Sequence, residues 1–144
     1  RLLGYPPLLV DLQAVRDDDH VLAVFRQGGR WGAVAKSNFS GLRWRDPIHR
    51  SVRELAASYF ESYFNLEGEK TLRRHSVPFD LSRVDRLRWT FDETHLDAVA
   101  GRLDASRHHP LLARGQERRL RPVDARSMRA GTVGTDMAGV HGAR

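Results

Sequence analysis

Between Asp17 and Asn38 the chain reads Asp-Asp-Asp-His-Val-Leu-Ala-Val-Phe-Arg-Gln, then Gly28-Gly29, then Arg-Trp-Gly-Ala-Val-Ala-Lys-Ser-Asn. Two short runs of strand-forming residues flank a pair of glycines, the pattern of a β-hairpin whose two-residue turn needs positive φ. That turn fixes the register. Phe25 faces Gly32 and Val24 faces Ala33. Extended outward, the same pairing sets His20 against Ser37 and Asp19 against Asn38. Opposed residues share a face, so Ser37 would neighbour His20, and one bulge would bring Lys36 or Asn38 there instead. Both runs are almost wholly apolar, so the hairpin is expected to be buried on both sides.

His20 has two readings. As a general base it would stand at a strand end, oriented by a polar group from the next strand. As a surface histidine it would have its charge offset by Asp17, Asp18 and Asp19.

The rest of the chain bounds the fold around this hairpin. With 144 residues, 40% of them apolar, the chain can form a single domain with a core. No apolar run reaches eighteen residues and no charged-then-apolar leader is present, so no membrane span is expected. The first residue is Arg, which reads as a fragment or a processed product. The absence of cysteine removes disulfides, thiolate metal sites and a cysteine nucleophile from these residues. It also fits a cytoplasmic location.

Arg1-Leu2-Leu3-Gly4 reads as the last turn of a helix with Gly4 at C′, stopped by Pro6-Pro7, before a strand at Leu8–Leu12. Phe39, Arg43, Trp44 and Arg45 read as a loop whose aromatics anchor in the core and whose arginines face water. The apolar spacing of Val52, Leu55, Ala56, Tyr59, Phe60, Tyr63 and Phe64 predicts a helix over residues 47–64. Asp46-Pro47 is one start signal, and a Ser51/Glu54 capping box is another. Residues 65–78 look polar and irregular. Asp80 or Ser82 is expected to cap a short helix through Leu87 and Trp89. Asp92 would cap a second, carrying Leu96, Val99, Ala100 and Leu103 on one face.

Gly68-Glu69-Lys70-Thr71 lacks the first glycine of a phosphate loop and follows a helix, so it is rejected as one. His75, His95, His108 and His109 have no metal-ligand spacing. No cofactor is expected. From 102 onward the chain holds nine arginines and four acids, so the basic excess belongs to the tail. Such a tail can bind nucleic acid or acidic surfaces weakly and non-specifically. The expected organisation is therefore a domain at 1–112, with Leu111-Leu112 docked, and a disordered Arg/Gly-rich tail at 113–144.

The order R-L-L-G-Y-P-P-L-L-V, D-D-H-V-L-A-V-F, G-G-R-W-G-A-V over residues 1–38 resembles the transglutaminase-like branch of the papain-type cysteine-hydrolase fold. Over most of its length the chain also resembles a bacterial protein family without an assigned function. The segments W-G-A-V-A-K-S-N-F-S-G-L-R, S-Y-F-E-S-Y-F-N and G-E-K-T-L-R carry that second likeness.

The first resemblance implies an α+β fold, a small antiparallel sheet packed against helices. It implies a thiolate on a helix upstream of Arg1 that attacks the amide carbonyl of a peptide or protein. His20 would be its base and then its acid. The acidic residue that should orient the imidazole is absent from Lys36-Ser37-Asn38. Asn38 could serve after a register shift, and Ser37 without one, though a hydroxyl orients less well. Without a thiol these residues cannot run the chemistry alone. A non-catalytic peptide- or protein-binding module on the same fold is the alternative.

Overall fold

Gly28 and Gly29 adopt φ of 55° and 76°, the left-handed pair that a tight hairpin turn requires. They join β2 (His20–Gln27) to β3 (Arg30–Val34) in the expected register, with Phe25 opposite Gly32 and Val24 opposite Ala33. In this computed structural model the structure describes residues 4–87 and 96–140. The expected helix turn before Gly4, the Trp89 end of the third helix, the Asp92 cap and His95 lie outside them. Gly4 itself has φ of 76°.

Seven strands and three α-helices are found among the described residues, an α+β fold. β1 (Leu8–Ala14) sits at the centre of the sheet. β2, β3 and β4 (Trp44–His49) follow on one side, and β5 (Leu72–Ser76) and β7 (His108–Pro110) on the other. The two-residue β6 (Phe79–Asp80) pairs with the start of β1. Every pairing is antiparallel.

One face of the sheet carries the main core. Val10, Leu12, Leu22, Val24, Ala33 and Leu72 pack beneath Leu55 and Ala56 of α1 (Val52–Ala57) and beneath Tyr59 and Tyr63. Leu111 joins this cluster, as its sequence suggested. Burying one such leucine contributes about 1.5–3 kcal/mol. On the other face, among the described residues, Leu9 and Phe79 of β1 and β6 meet Leu81, Val84 and Val99. Leu81 and Val84 belong to a 3-10 helix at Leu81–Leu87, and Val99 to α2 (Leu96–Asp104). Over β2, β3 and β4 this face is open among the described residues. Val21 is 43% exposed, Val34 45% and Trp44 52%. The hairpin is therefore buried on one side, not two.

Four further expectations are corrected. The helix expected over 47–64 is shorter at both ends: Ser51 caps it, its hydroxyl accepting the Glu54 N–H, it stops at Ala57 before a 3-10 turn at Phe60–Ser62, and Asp46-Pro47 belongs to strand β4. Proline is tolerated there because β4 lies at the sheet's edge. The polar stretch 65–78 contains β5, whose Arg73 and His75 are buried. Of the stretch expected as a loop at 39–45, Phe39 packs on the core, but Trp44 opens strand β4 and is exposed. Arg45 turns inward, its guanidinium 4.0 Å over the Tyr59 ring.

The tail, expected to lack structure, holds α3 (Ala125–Thr132) and 3-10 turns at Glu117–Arg119 and Met137–Gly139. Its ties to the domain are local. The Val123 N–H donates to the Gly68 carbonyl at 2.9 Å. Gly131 lies so close to the Phe64 ring that a Cβ there would come within 2.7 Å of it. No helix among the described residues is long and apolar enough to cross a membrane.

Candidate functional site

His20 is the first residue of β2 and pairs with Leu12 of β1. The turn leading to it is held by the acids that precede it. The Asp19 carboxylate accepts the Ala14 N–H at 2.8 Å, and Asp17 accepts the Thr71 hydroxyl at 2.6 Å. The buried Tyr63 hydroxyl donates to the Asp18 carbonyl at 2.5 Å. These carboxylates hold a turn, and His20 behind it is half-buried.

Alternation along β2 puts His20 on the side of Leu22 and Val24, toward the main core. Its Nε2 lies 3.3 Å from the carbonyl oxygen of Leu42. A carbonyl can only accept, so Nε2 carries the proton and Nδ1 the lone pair. Burial pulls the imidazole below its ordinary pKa, and the Leu42 carbonyl pulls weakly the other way. The ring is thus neutral at pH 7 and able to take a proton. Tyr63 stands edge-on to it, ring centres 6.3 Å apart. Burial, and after it the charges of Asp17 and Asp19, push that phenol far above its usual range. Tyr63 keeps its proton and serves as a wall.

The partners expected for His20 lie near it but do not hold it. The β2–β3 ladder stops at Ala23 and Val34, and the Ala35 N–H turns instead to the Arg43 carbonyl at 2.8 Å. Lys36, Ser37 and Asn38 therefore leave the sheet, and the register that would set Ser37 against His20 ends before reaching it. The Ser37 hydroxyl accepts the Phe39 N–H at 3.1 Å. Asn38 makes two bonds to the main chain of Asp136, at 2.5 and 2.9 Å. The imidazole is held by Leu42, whose side chain is buried in the core and whose carbonyl comes with it. All three candidates still line the same polar cavity as His20, of about 230 Å³, together with Tyr63 and Val140.

A larger groove, about 600 Å³, lies on the open face of the sheet among Tyr5, Phe25, Val34 and Trp44. No histidine, carboxylate or lysine among the described residues lines it.

A second polar group was not foreseen. Asp11, Ser76 and His108 stand side by side on β1, β5 and β7, on the face beneath α2. The Ser76 hydroxyl accepts the Asp11 N–H and donates to the Val77 carbonyl, so it is not free to act as a nucleophile. No group of three or more histidines and acids able to hold a metal occurs among the described residues.

No protein-family model and no curated protein matches this chain. The functional reading therefore stands on the fold and on the cavity around His20.

Proposed function

We propose that residues 1–112 are the C-terminal part of a transglutaminase-like, cysteine-hydrolase-like domain acting on amide bonds of peptides or proteins. One observation carries the reading. The His20 imidazole is kept neutral by burial, commits Nε2 to the Leu42 carbonyl and leaves Nδ1 without a protein partner among the described residues, beside a polar cavity. A base of this kind can take a proton from a thiol and return it to a leaving amine. The thiol has to come from outside these 144 residues, because they contain no cysteine. The role first given to Asn38 or Ser37 falls to a main-chain carbonyl, which fixes tautomer and ring orientation but adds no full charge to steady an imidazolium.

That last point favours a second reading, a peptide-binding module on the same fold without turnover. The two separate in the protein produced from its whole reading frame. The enzyme reading expects a thiol alkylated rapidly by iodoacetamide at pH 7. It also expects turnover of a glutamine-peptide amide that falls about 10²–10⁴-fold in His20→Gln. Absence of a reactive thiol, or a His20→Gln protein as active as its parent, sinks the enzyme reading and leaves the binder.

A further inference from the structure

Asn38 holds the tail in an unusual way: its side-chain amide grips another residue's main chain at both ends. Nδ2–H donates to the Asp136 carbonyl at 2.5 Å, and Oδ1 accepts the Asp136 N–H at 2.9 Å. Asp136 is extended there, at φ −76° and ψ 103°. A primary amide bonded this way reads backbone and ignores side chains. Strand-like peptide ligands are recognised by the same main-chain bonding. The gripped segment continues to Val140, which lines the His20 cavity.

The segment is also loosely seated. No residue of α3 is buried, and Val133 is 73% exposed. Segments with few buried contacts open locally at low cost.

We propose that Asn38 is the backbone clamp, beside His20, for one extended residue of a bound peptide, and that the chain's own Asp136, followed by the Met137–Gly139 turn and Val140, occupies this place until a peptide displaces it. The proposal rests on the cleft common to both readings above, and it names the ligand class and a built-in competitor. It does not require turnover.

The test uses the whole 144-residue chain and one probe, a fluorescein-labelled, end-capped peptide of residues 134–141, followed by anisotropy. Asp136→Pro removes the N–H that Asn38 accepts, at a φ proline tolerates, and frees the cleft. Gly131→Leu drives the Phe64 ring off α3 and frees it by a separate route, should the proline variant not fold. Either variant is expected to bind the probe at least about tenfold more tightly than the parent, and adding Asn38→Ala is expected to remove that gain. No gain in a folded variant, or a gain that survives Asn38→Ala, overturns the proposal. Turnover is read only in the protein from its whole reading frame, since the 144 residues hold no thiol, and probe binding without turnover there sinks only the enzyme reading. Turnover dependent on His20 with no gain in probe binding sinks only the clamp.

Discussion

Asp11 and His108, 97 residues apart in sequence, share a buried hydrogen bond of 2.9 Å between Oδ2 and Nε2. The other imidazole nitrogen faces the Ser106 carbonyl at 2.7 Å. Burial pushes the Asp11 carboxyl up, and the bond to His108 opposes it. The bond ties the edge strand β7 to the central strand across β5, beneath α2. Asp11→Ala or His108→Ala alone is expected to cost about 3–5 kcal/mol, because each strands a polar partner without water. The double variant should lose less than the sum of the two, a coupling measurable by urea unfolding. Strict additivity would show the pair to be a bystander.

A pH dependence follows from His20 and His75. Burial pulls both imidazoles below their ordinary value. Unfolded, each takes a proton near pH 6.5; folded, each resists it to lower pH. The unfolded chain thus binds more protons below its ordinary histidine pKa, so stability is full above about pH 6.5 and is lost as the pH falls below that value. Urea midpoints measured across that range should decline with acidity, and His20→Gln or His75→Gln should each flatten the decline. A His20 proton resonance titrating above pH 6.5 would contradict the burial assigned to the ring.

These elements differ in how openly the sequence displayed them. Gly28-Gly29 leaves the hairpin no alternative register, so the pairing of Phe25 with Gly32 could be read directly. The strand β5 could not. Its residues Leu-Arg-Arg-His-Ser show no apolar alternation, and Arg73 is buried by bonding the Lys70 and Leu72 carbonyls. The partner of His20 was hidden for another reason. A main-chain carbonyl has no side-chain signature, so a search among Lys36, Ser37 and Asn38 could find the cavity wall but not the bond. The tail did carry a usable signal. Asp124 caps α3 by accepting the Arg126 and Ser127 N–H groups, at 2.9 and 3.0 Å, but its arginines and glycines masked it.

Tyr59 offers a substitution expected to do no harm. Its hydroxyl is buried without a hydrogen-bond partner among the described residues, and burial pushes its pKa up to about 12. The ring, by contrast, carries the Arg45 guanidinium, which also donates to the Ser58 hydroxyl at 3.0 Å and the Gly41 carbonyl at 2.9 Å. Tyr59→Phe keeps the ring and removes the stranded hydroxyl, so stability should stay the same or rise by up to about 1 kcal/mol. Arg45→Lys should cost about 1–2 kcal/mol, since an ammonium cannot match the planar fork. A large loss in Tyr59→Phe would mean that the hydroxyl has a bond partner after all.

Two glycines separate steric need from conformational freedom. Gly32 in β3 has φ outside the left-handed region, yet a Cβ there would come 2.7 Å from the Phe25 ring, 2.9 Å from the Arg45 carbonyl and 3.0 Å from the Pro47 nitrogen. Two of those three are backbone atoms of β4, at the place where the β3–β4 register shifts. They cannot step aside as a side chain can. Gly101 in α2 has nothing within 4 Å of such a Cβ. Gly32→Ala should therefore destabilise by about 1–3 kcal/mol through overpacking, and it should loosen β4 first, seen as faster amide exchange at Arg45 and Ile48. Gly101→Ala should stabilise by about 0.5–1 kcal/mol through helix propensity alone. Equal melting temperatures for the two variants would mean that β4 does not lie against Gly32, and with that the loop from Ala35 to Arg43, which delivers Leu42 to His20, would lose its anchor.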